Sequence, residues 1–364
     1  MKNYKLLTPG PLTTTDSVKQ SMLFDYCTWD DDYKSITQKI RKDLLHLAHV
    51  SDVEYTTVLM QGSGTFGVES VISSVIPKNG TLLLLSNGAY GERIASMCKY
   101  HAIACIHIKQ DYDKMPDKEV VEKKLNEHPE ITHIAMIHSE TTSGILNDIQ
   151  SIGELAKKYK KIFIVDAMSS FGGVFIDVKN WNIDFIISSA NKCIQGVPGF
   201  SFIIAKKDVL ESTKGNARSL SLDLYDQWVC MEKDGKWRYT SPTHVVRAFA
   251  QAMQELQEEG GIEARYARYR KNMDMLIQNF EDLGFKLYVD KKYQGPIIAT
   301  FLYPDGVSID FKEMYAYIKE RGYAIYPGKL TDQDTFRIGV IGEIYEEDIK
   351  KLTSIMKAYL DTIK

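Results

Sequence analysis

The sequence predicts an α/β protein: a mostly parallel sheet covered by helices on both faces, followed by a smaller α+β unit. Three observations carry that reading. Continuous apolar runs such as Thr81 to Ser86 (TLLLLS) have the composition of strands buried on both faces, as parallel strands are. These runs alternate with stretches of helical spacing, the β-α-β order that builds a parallel sheet. After Lys207 the alternation is lost, and the chain closes in long helices and short strands. At 364 residues there is length for two cores. The boundaries are expected near residues 15 and 255, giving an N-terminal segment 1–15, a large domain 16–255 and a small C-terminal domain 256–364.

Composition excludes several classes. With 44% apolar and 26% charged residues and a formal net charge of −3, the chain carries no basic footprint for nucleic acid. Five scattered cysteines (Cys27, Cys98, Cys105, Cys193, Cys230) show no C-x-x-C spacing, which argues against a disulfide framework or a metal site and for a reducing cytosol. The opening MKNYKLLTPGP has no apolar signal core, and no run of 18 apolar residues occurs, so a membrane partner is not expected and a cytoplasmic location is.

Taken in order, Leu6 to Pro11 sets two prolines around Gly10, a rigid extended turn that at the least tethers the N-terminus. Asp30, Asp31 and Asp32 precede the amphipathic spacing Ile36, Ile40, Leu44, Leu47, where acidic residues oppose the positive end of a helix dipole. The first strand, Tyr55 to Met60, runs into Gln61-Gly62-Ser63-Gly64-Thr65 and a helical stretch from Phe66 to Ile76. Small residues at a strand-to-helix turn expose backbone N–H groups beside the Ser63 and Thr65 hydroxyls, a cradle for a phosphate. It lacks the lysine of a Walker loop and the spacing of a dinucleotide fingerprint, so a monophosphate suits it better; a plain capping turn is the alternative. The second strand, Thr81 to Ser86, ends at Asn87-Gly88-Ala89-Tyr90-Gly91, which puts Tyr90 at the carboxyl edge of the sheet, where open α/β sheets bind ligands.

Five further strands are expected at Ala104 to Ile108, His133 to His138, Ile162 to Val165, Phe185 to Ser188 and Phe200 to Ala205, making seven in all. Three of their ends carry chemistry. His138 to Gly144 (HSETTSG) is a polar cluster after IAMI. Asp166 ends an apolar strand, and a carboxylate there costs free energy unless a cation or several donors meet it. Lys192 follows the strand ending in Ser188-Ser189-Ala190-Asn191, where partial desolvation would favour a neutral, nucleophilic amine. Beyond an irregular stretch from Asn216 to Trp237, helices are expected from Val245 to Glu259, Glu263 to Leu283 and near Phe311 to Arg321. Strands are expected near Phe285, at Ile297 to Leu302 and at Thr335 to Gly339. Arg337, set among apolar neighbours, calls for an anion, either a ligand or a structural aspartate.

A Schiff-base lysine, an anion cradle, a carboxylate for a ring nitrogen and an aromatic to stack are the needs of a pyridoxal-phosphate site. Lys192, Ser63 to Thr65, Asp166 and Tyr90 offer one of each, with the aspartate 26 residues before the lysine (192 − 166). The strings LLTPGPL (6–12), QGSGT (61–65), NGAYGER (87–93), HSETTSG (138–144), VDAMSSFGG (165–173), SSANKCIQGVPG (188–199) and FRIG (336–339) resemble the class-V, fold-type-I pyridoxal-phosphate aminotransferases. WDDDY, SANKCIQG and TSPTH further resemble the branch that moves an amine from 2-aminoethylphosphonate to pyruvate; alanine–glyoxylate and serine–pyruvate aminotransferases share the framework. The resemblance implies a homodimeric, two-stage transaminase bound to pyridoxal 5′-phosphate, with residues 1–15 contributing to the site. It further implies roles for single residues. Lys192 would carry the cofactor and act as the base, Asp166 would meet the ring nitrogen, and Ser63, Gly64 and Thr65 would hold the phosphate with help from Ser189. Tyr90 would take the place of a stacking residue that is often tryptophan, and Thr142 would bond the ring hydroxyl region. Gly10 and Arg337 would meet substrate. Thr240 would be lent by a second subunit, a part that Ser241 or Thr243 could equally take. Cys193 reads as a packed thiol rather than a redox centre.

Overall fold

The computed structural model describes residues 4–328, 330 and 333–363. Its large sheet has seven strands: β1 (Tyr55–Gln61), β2 (Thr81–Ser86), β3 (Ala104–Lys109), β4 (Ile131–Ile137), β5 (Ile162–Asp166), β6 (Phe185–Ser189) and β7 (Phe200–Lys206). Their spatial order is β1-β7-β6-β5-β4-β2-β3. Only β7 runs against its neighbours, pairing antiparallel with both β1 and β6, while the other contacts are parallel. Strand β2 is buried at every position, which is why its sequence has no polar alternation. Helices such as Gly64–Val75, Ala89–Tyr100 and Thr243–Glu259 join these strands in one apolar core that runs from Val18 to Leu256.

Because six strands share a direction, their carboxyl ends fall along one edge. That edge collects Gly62 to Thr65 after β1, Asn87 to Tyr90 after β2, the hairpin after β4, Asp166 ending β5, and Asn191 and Lys192 after β6. This is where ligands of open α/β sheets bind.

A second core gathers Leu7 with residues from Met273 to Leu360. It lies on a four-stranded sheet in the order Lys286–Leu287, Ile298–Leu302, Thr335–Gly339, Tyr326–Pro327. Phe280, Phe301 and Phe336 pack there, with the first pair's rings 5.0 Å apart and the second's 5.8 Å. The N-terminal strap belongs to this part of the molecule. Lys5–Leu6 pairs in parallel with Tyr323–Ala324, and the Gly339 N–H donates to the Leu7 carbonyl (2.9 Å).

Two sequence readings change. The stretch 216–237, expected to be irregular, contains the helix Leu224–Asp234, opened by an Asp223 side chain that accepts from the Asp226 N–H and closed by Gly235 in the left-handed region. The helix expected from Val245 begins two residues earlier, at Thr243, just after Pro242.

Candidate active site

Seven of the sequence-nominated residues line one cavity of about 190 Å³ at the carboxyl edge of the large sheet. Ser63, Gly64 and Thr65 form its helical wall. Ser63 stands at the N-cap of the helix Gly64–Val75, yet its side chain makes no capping bond, so the hydroxyl is not consumed by the helix it begins. A Cβ at Gly64 would run into the Met168 side chain, whose flexible end would have to move aside for any larger residue at this turn. The first-turn N–H groups and these hydroxyls together suit an anion.

Asp166 and Lys192 form the floor. Asp166 is 6% exposed, and one carboxylate oxygen accepts from the Met168 N–H at 2.9 Å. Burial pushes its pKa up to about 7, against the opposing pull of that N–H and of the Lys192 and Arg93 charges. A carboxylate so placed wants a cation against it. The Lys192 amine donates to the carbonyls of Pro9 (2.9 Å) and Gly10 (3.3 Å), so the N-terminal strap holds the lysine's end. Gly10 lies in the left-handed region (φ +111°), and a Cβ there would sit 2.7 Å from the lysine's Cδ and 2.9 Å from Nζ. Ser189 also lines the cavity and donates its hydroxyl to the Asn191 side chain (3.1 Å).

Tyr90 closes the opposite side. The Arg93 guanidinium stands over its ring at 4.9 Å and donates to the Thr65 hydroxyl (3.0 Å), tying the aromatic to the cradle. Arg337, on the small sheet, stands within electrostatic reach of the same tyrosine. It is 3% exposed; its Nε donates to the Pro327 carbonyl (2.9 Å) and its Nη1 to the Thr141 carbonyl (2.8 Å). Burial draws its pKa below the usual guanidinium range, while Tyr90, Tyr326 and Glu140 pull the other way. Among the described residues, no aspartate or glutamate forms an ion pair with it, so the structural-aspartate alternative is not what fixes this side chain.

Four nominated residues do not line the cavity: Gly10, which abuts Lys192, Arg337, and the threonines Thr142 and Thr240. Thr142 sits in the hairpin after β4, where its hydroxyl donates to Glu140 (2.6 Å) and accepts from the Ala89 N–H (3.0 Å). Thr240 is exposed on the segment before helix Thr243–Glu259. Its neighbour Ser241 is buried and accepts from the Tyr33 hydroxyl at 2.7 Å, which gives that serine a structural partner. Cys193 is buried, donates to the Ser169 carbonyl (3.1 Å), and has its pKa pushed up to about 12 by burial, so it is a packed thiol. His138 is held neutral by burial, its pKa pushed down to about 3, and shares a hydrogen bond with Ser170 (2.9 Å).

Arg93, Met168, Asn191 and Glu140 were not singled out from sequence. Arg93 was legible in principle, since it follows Tyr90 by three residues on one helix and so shares its face. Glu140 was not, because nothing in HSETTSG says which polar side chain turns inward.

The sequence profile of the class-V aminotransferases ("Aminotransferase class-V") matches residues 27–352. The chain belongs to the class-V aminotransferases. It is 57% identical over 360 residues to the 2-aminoethylphosphonate–pyruvate transaminase of Lysinibacillus sphaericus (strain C3-41), covering 99% of this chain and 98% of that one. It is 55% identical over 360 residues to the bifunctional phosphonoacetaldehyde hydrolase/aminoethylphosphonate transaminase of Clostridioides difficile (strain 630), covering 99% of this chain and 57% of that protein. Among solved structures, ureidoglycine–glyoxylate aminotransferase from Bacillus subtilis superposes with a TM-score of 0.91 at 21% identity, covering 100% of this chain and 94% of that one. Alanine–glyoxylate aminotransferase from Nostoc sp. does so with 0.91 at 23%, covering 99% and 96%. At those identities the superpositions speak for the class-V fold alone. Among the described residues of this aminotransferase, no helix is long and apolar enough to cross a membrane.

Proposed function

We propose that this aminotransferase moves the amine of 2-aminoethylphosphonate to pyruvate, giving phosphonoacetaldehyde and L-alanine, with pyridoxal 5′-phosphate as cofactor. The observation that carries the reading is that Lys192, a buried Asp166 and the Ser63–Thr65 helix start meet in one cavity. The residues fit the group: Asp166 lacks a full countercharge where a pyridinium would supply one, and the cradle presents hydroxyls and N–H groups suited to a phosphate. When bound, the cofactor supplies an electron sink that makes the proton beside the substrate's amine removable. The Lys192 amine takes that proton and returns it, and the Pro9 and Gly10 carbonyls hold Nζ ready for the transfer. Asp166 keeps a proton on the ring nitrogen. Ser63, Gly64, Thr65 and Ser189 hold the phosphate end, and Thr142 steadies the start of the Tyr90 helix through the Ala89 N–H. Arg337 binds the substrate's anion, carboxylate in one half-reaction and phosphonate in the other, and Gly10, beside Lys192, is read as a further substrate contact.

The substrate pair rests on the 57% identical transaminase and on the fused relative, whose other named activity consumes phosphonoacetaldehyde. We read residues 16–255 as the cofactor-binding domain and 256–364 as the small domain, in line with cores that change between Leu256 and Met273. The working form is a cytoplasmic homodimer in which exposed Thr240 serves the neighbouring subunit's phosphate site. A panel of amine donors with pyruvate tests the activity. Phosphonoacetaldehyde and alanine are expected from 2-aminoethylphosphonate, with rates at least about a thousandfold lower in Lys192→Ala. Turnover of serine with pyruvate, or of alanine with glyoxylate, without any from 2-aminoethylphosphonate would overturn the assignment.

A further inference from the structure

Lys192 opens a tight turn that is held from outside the large sheet, by a helix whose later residues pack in the second core. Within the turn, the Gln195 N–H donates to the Lys192 carbonyl (2.7 Å) and the Gly196 N–H to the Ala190 carbonyl (2.9 Å). The Cys193 carbonyl accepts from Arg265 Nη1 at 2.8 Å, and among the described residues no backbone N–H donates to it. At the end of the turn, the Gln195 side chain donates to the Tyr269 hydroxyl (2.6 Å) and the Gly342 carbonyl (3.2 Å). Arg265 and Tyr269 are buried and stand four residues apart on the helix Gly261–Asp282, so they present one face to the turn. Arg265 is fixed in its own place by Glu259, the last residue of the helix Thr243–Glu259. One Glu259 carboxylate oxygen accepts from its Nε and Nη2 at 2.7 Å each. A planar guanidinium can divide its N–H groups between a carboxylate on one side and a carbonyl on the other, in a set direction that an ammonium does not copy.

We propose that Arg265 is a positioning residue for Lys192: anchored on Glu259, it holds the Cys193 carbonyl and so fixes the turn that aims the lysine's amine. The inference rests on the reading of Lys192 as the base. The strap carbonyls of Pro9 and Gly10 hold the far end of the lysine side chain, and Arg265 holds the backbone beside its near end. A small rotation of that backbone is carried along the whole side chain to Nζ. Arg268 supplies the internal control. It lies on the same helix and shares the same carboxylate (Nε to Glu259, 2.7 Å), but its other bonds go to the Gly342 and Ile344 carbonyls and not to the turn.

The test compares Arg265→Met with Arg268→Gln. In the first, Glu259 keeps Arg268 as its partner, so no buried charge is stranded. Single-turnover rates with 2-aminoethylphosphonate, counted per cofactor-loaded site, are expected to fall about tenfold or more in Arg265→Met, since misplacing a reacting group by about 1 Å can cost about a hundredfold. The donor concentration at half-saturation should stay within about threefold. With the donor deuterated at its amine-bearing carbon, the isotope effect should equal or exceed that of wild type, because proton removal is the step that slows. In the cofactor-free protein, hydrogen exchange across residues 190–196 should be faster in Arg265→Met and unchanged in Arg268→Gln. Arg268→Gln should melt at a lower temperature with its single-turnover rate within about twofold of wild type. Arg265→Lys, with one nitrogen in place of three, should behave as the methionine variant does and carries the test if that variant folds poorly. An unchanged rate in both Arg265 variants, whether or not the turn exchanges faster, overturns the proposal. So does an equal slowing in Arg268→Gln, which would make the effect a general loosening, or a smaller isotope effect, which would put the loss in another step. Turnover that survives Lys192→Ala overturns the reading of the base itself, and this inference with it.

Discussion

Asp166 shows how one side chain's position becomes a measurable property of the whole enzyme. Its folded pKa, pushed up to about 7 by burial, lies above the ordinary carboxylate value of 3.8. In the cofactor-free protein the native state therefore binds this proton more tightly than the unfolded chain does. The contribution to stability is complete below about pH 4 and falls as pH rises toward 7. Thermal melts of the cofactor-free protein should lose stability across that window, and Asp166→Asn should remove this part of the slope. Adding pyridoxal 5′-phosphate should remove it as well, because a cationic ring nitrogen favours the ionised carboxylate. Equal slopes in wild type and Asp166→Asn would mean that burial does not perturb this group. The same side chain was legible in the sequence, since an apolar strand running straight into an aspartate is costly without a partner. The electrostatic influence of Tyr90 on Arg337 was not, because the two lie 247 residues apart (337 − 90) and only the fold brings them together.

At the level of elements, the strands of the large sheet were legible because burial on both faces writes an unbroken apolar run, and every one of the seven is present. The helix Leu224–Asp234 was missed for the opposite reason. Its mixed sequence LYDQWVCMEKD has no clean apolar stripe, and its stability comes from tertiary contacts such as Gln227 donating to the Leu59 carbonyl (2.9 Å). The N-terminal strap is the element whose purpose sequence left most open. It could have been a mere tether, yet its Pro9 and Gly10 carbonyls hold the Lys192 amine. Gly10→Ala tests that coupling. The new methyl group would press on the lysine's Cδ and Nζ in a backbone region that costs a non-glycine residue about 1–3 kcal/mol. The expected result is a fall in kcat of about tenfold or more with the cofactor still bound, read by single-turnover kinetics and cofactor absorbance. An unchanged kcat would show that the strap does not place the lysine.

On the scale of the whole molecule, three distant parts of the chain converge on one cavity edge. The large sheet supplies Asp166 and Lys192, the strap reaches Lys192, and the small sheet sets Arg337 within electrostatic reach of Tyr90. Thr240 is a nominated residue that this convergence leaves outside, exposed beside the exposed Tyr239. If it serves a neighbouring subunit across a two-fold axis, each site draws Lys192 from one chain and Thr240 from the other. Thr240→Ala alone should then weaken cofactor binding about tenfold, the size expected for one bond to a charged phosphate. Lys192→Ala alone should be inactive. Mixed dimers of the two variants contain one site with neither defect and one with both. Unfolding and refolding an equal mixture should therefore restore roughly a quarter of the wild-type number of tight sites, since half of random dimers are mixed and each has one complete site. Cofactor titration of the refolded mixture counts those sites directly. If the mixture behaves as the average of its two parents, Thr240 acts within its own chain or not at all, and the composite site is wrong.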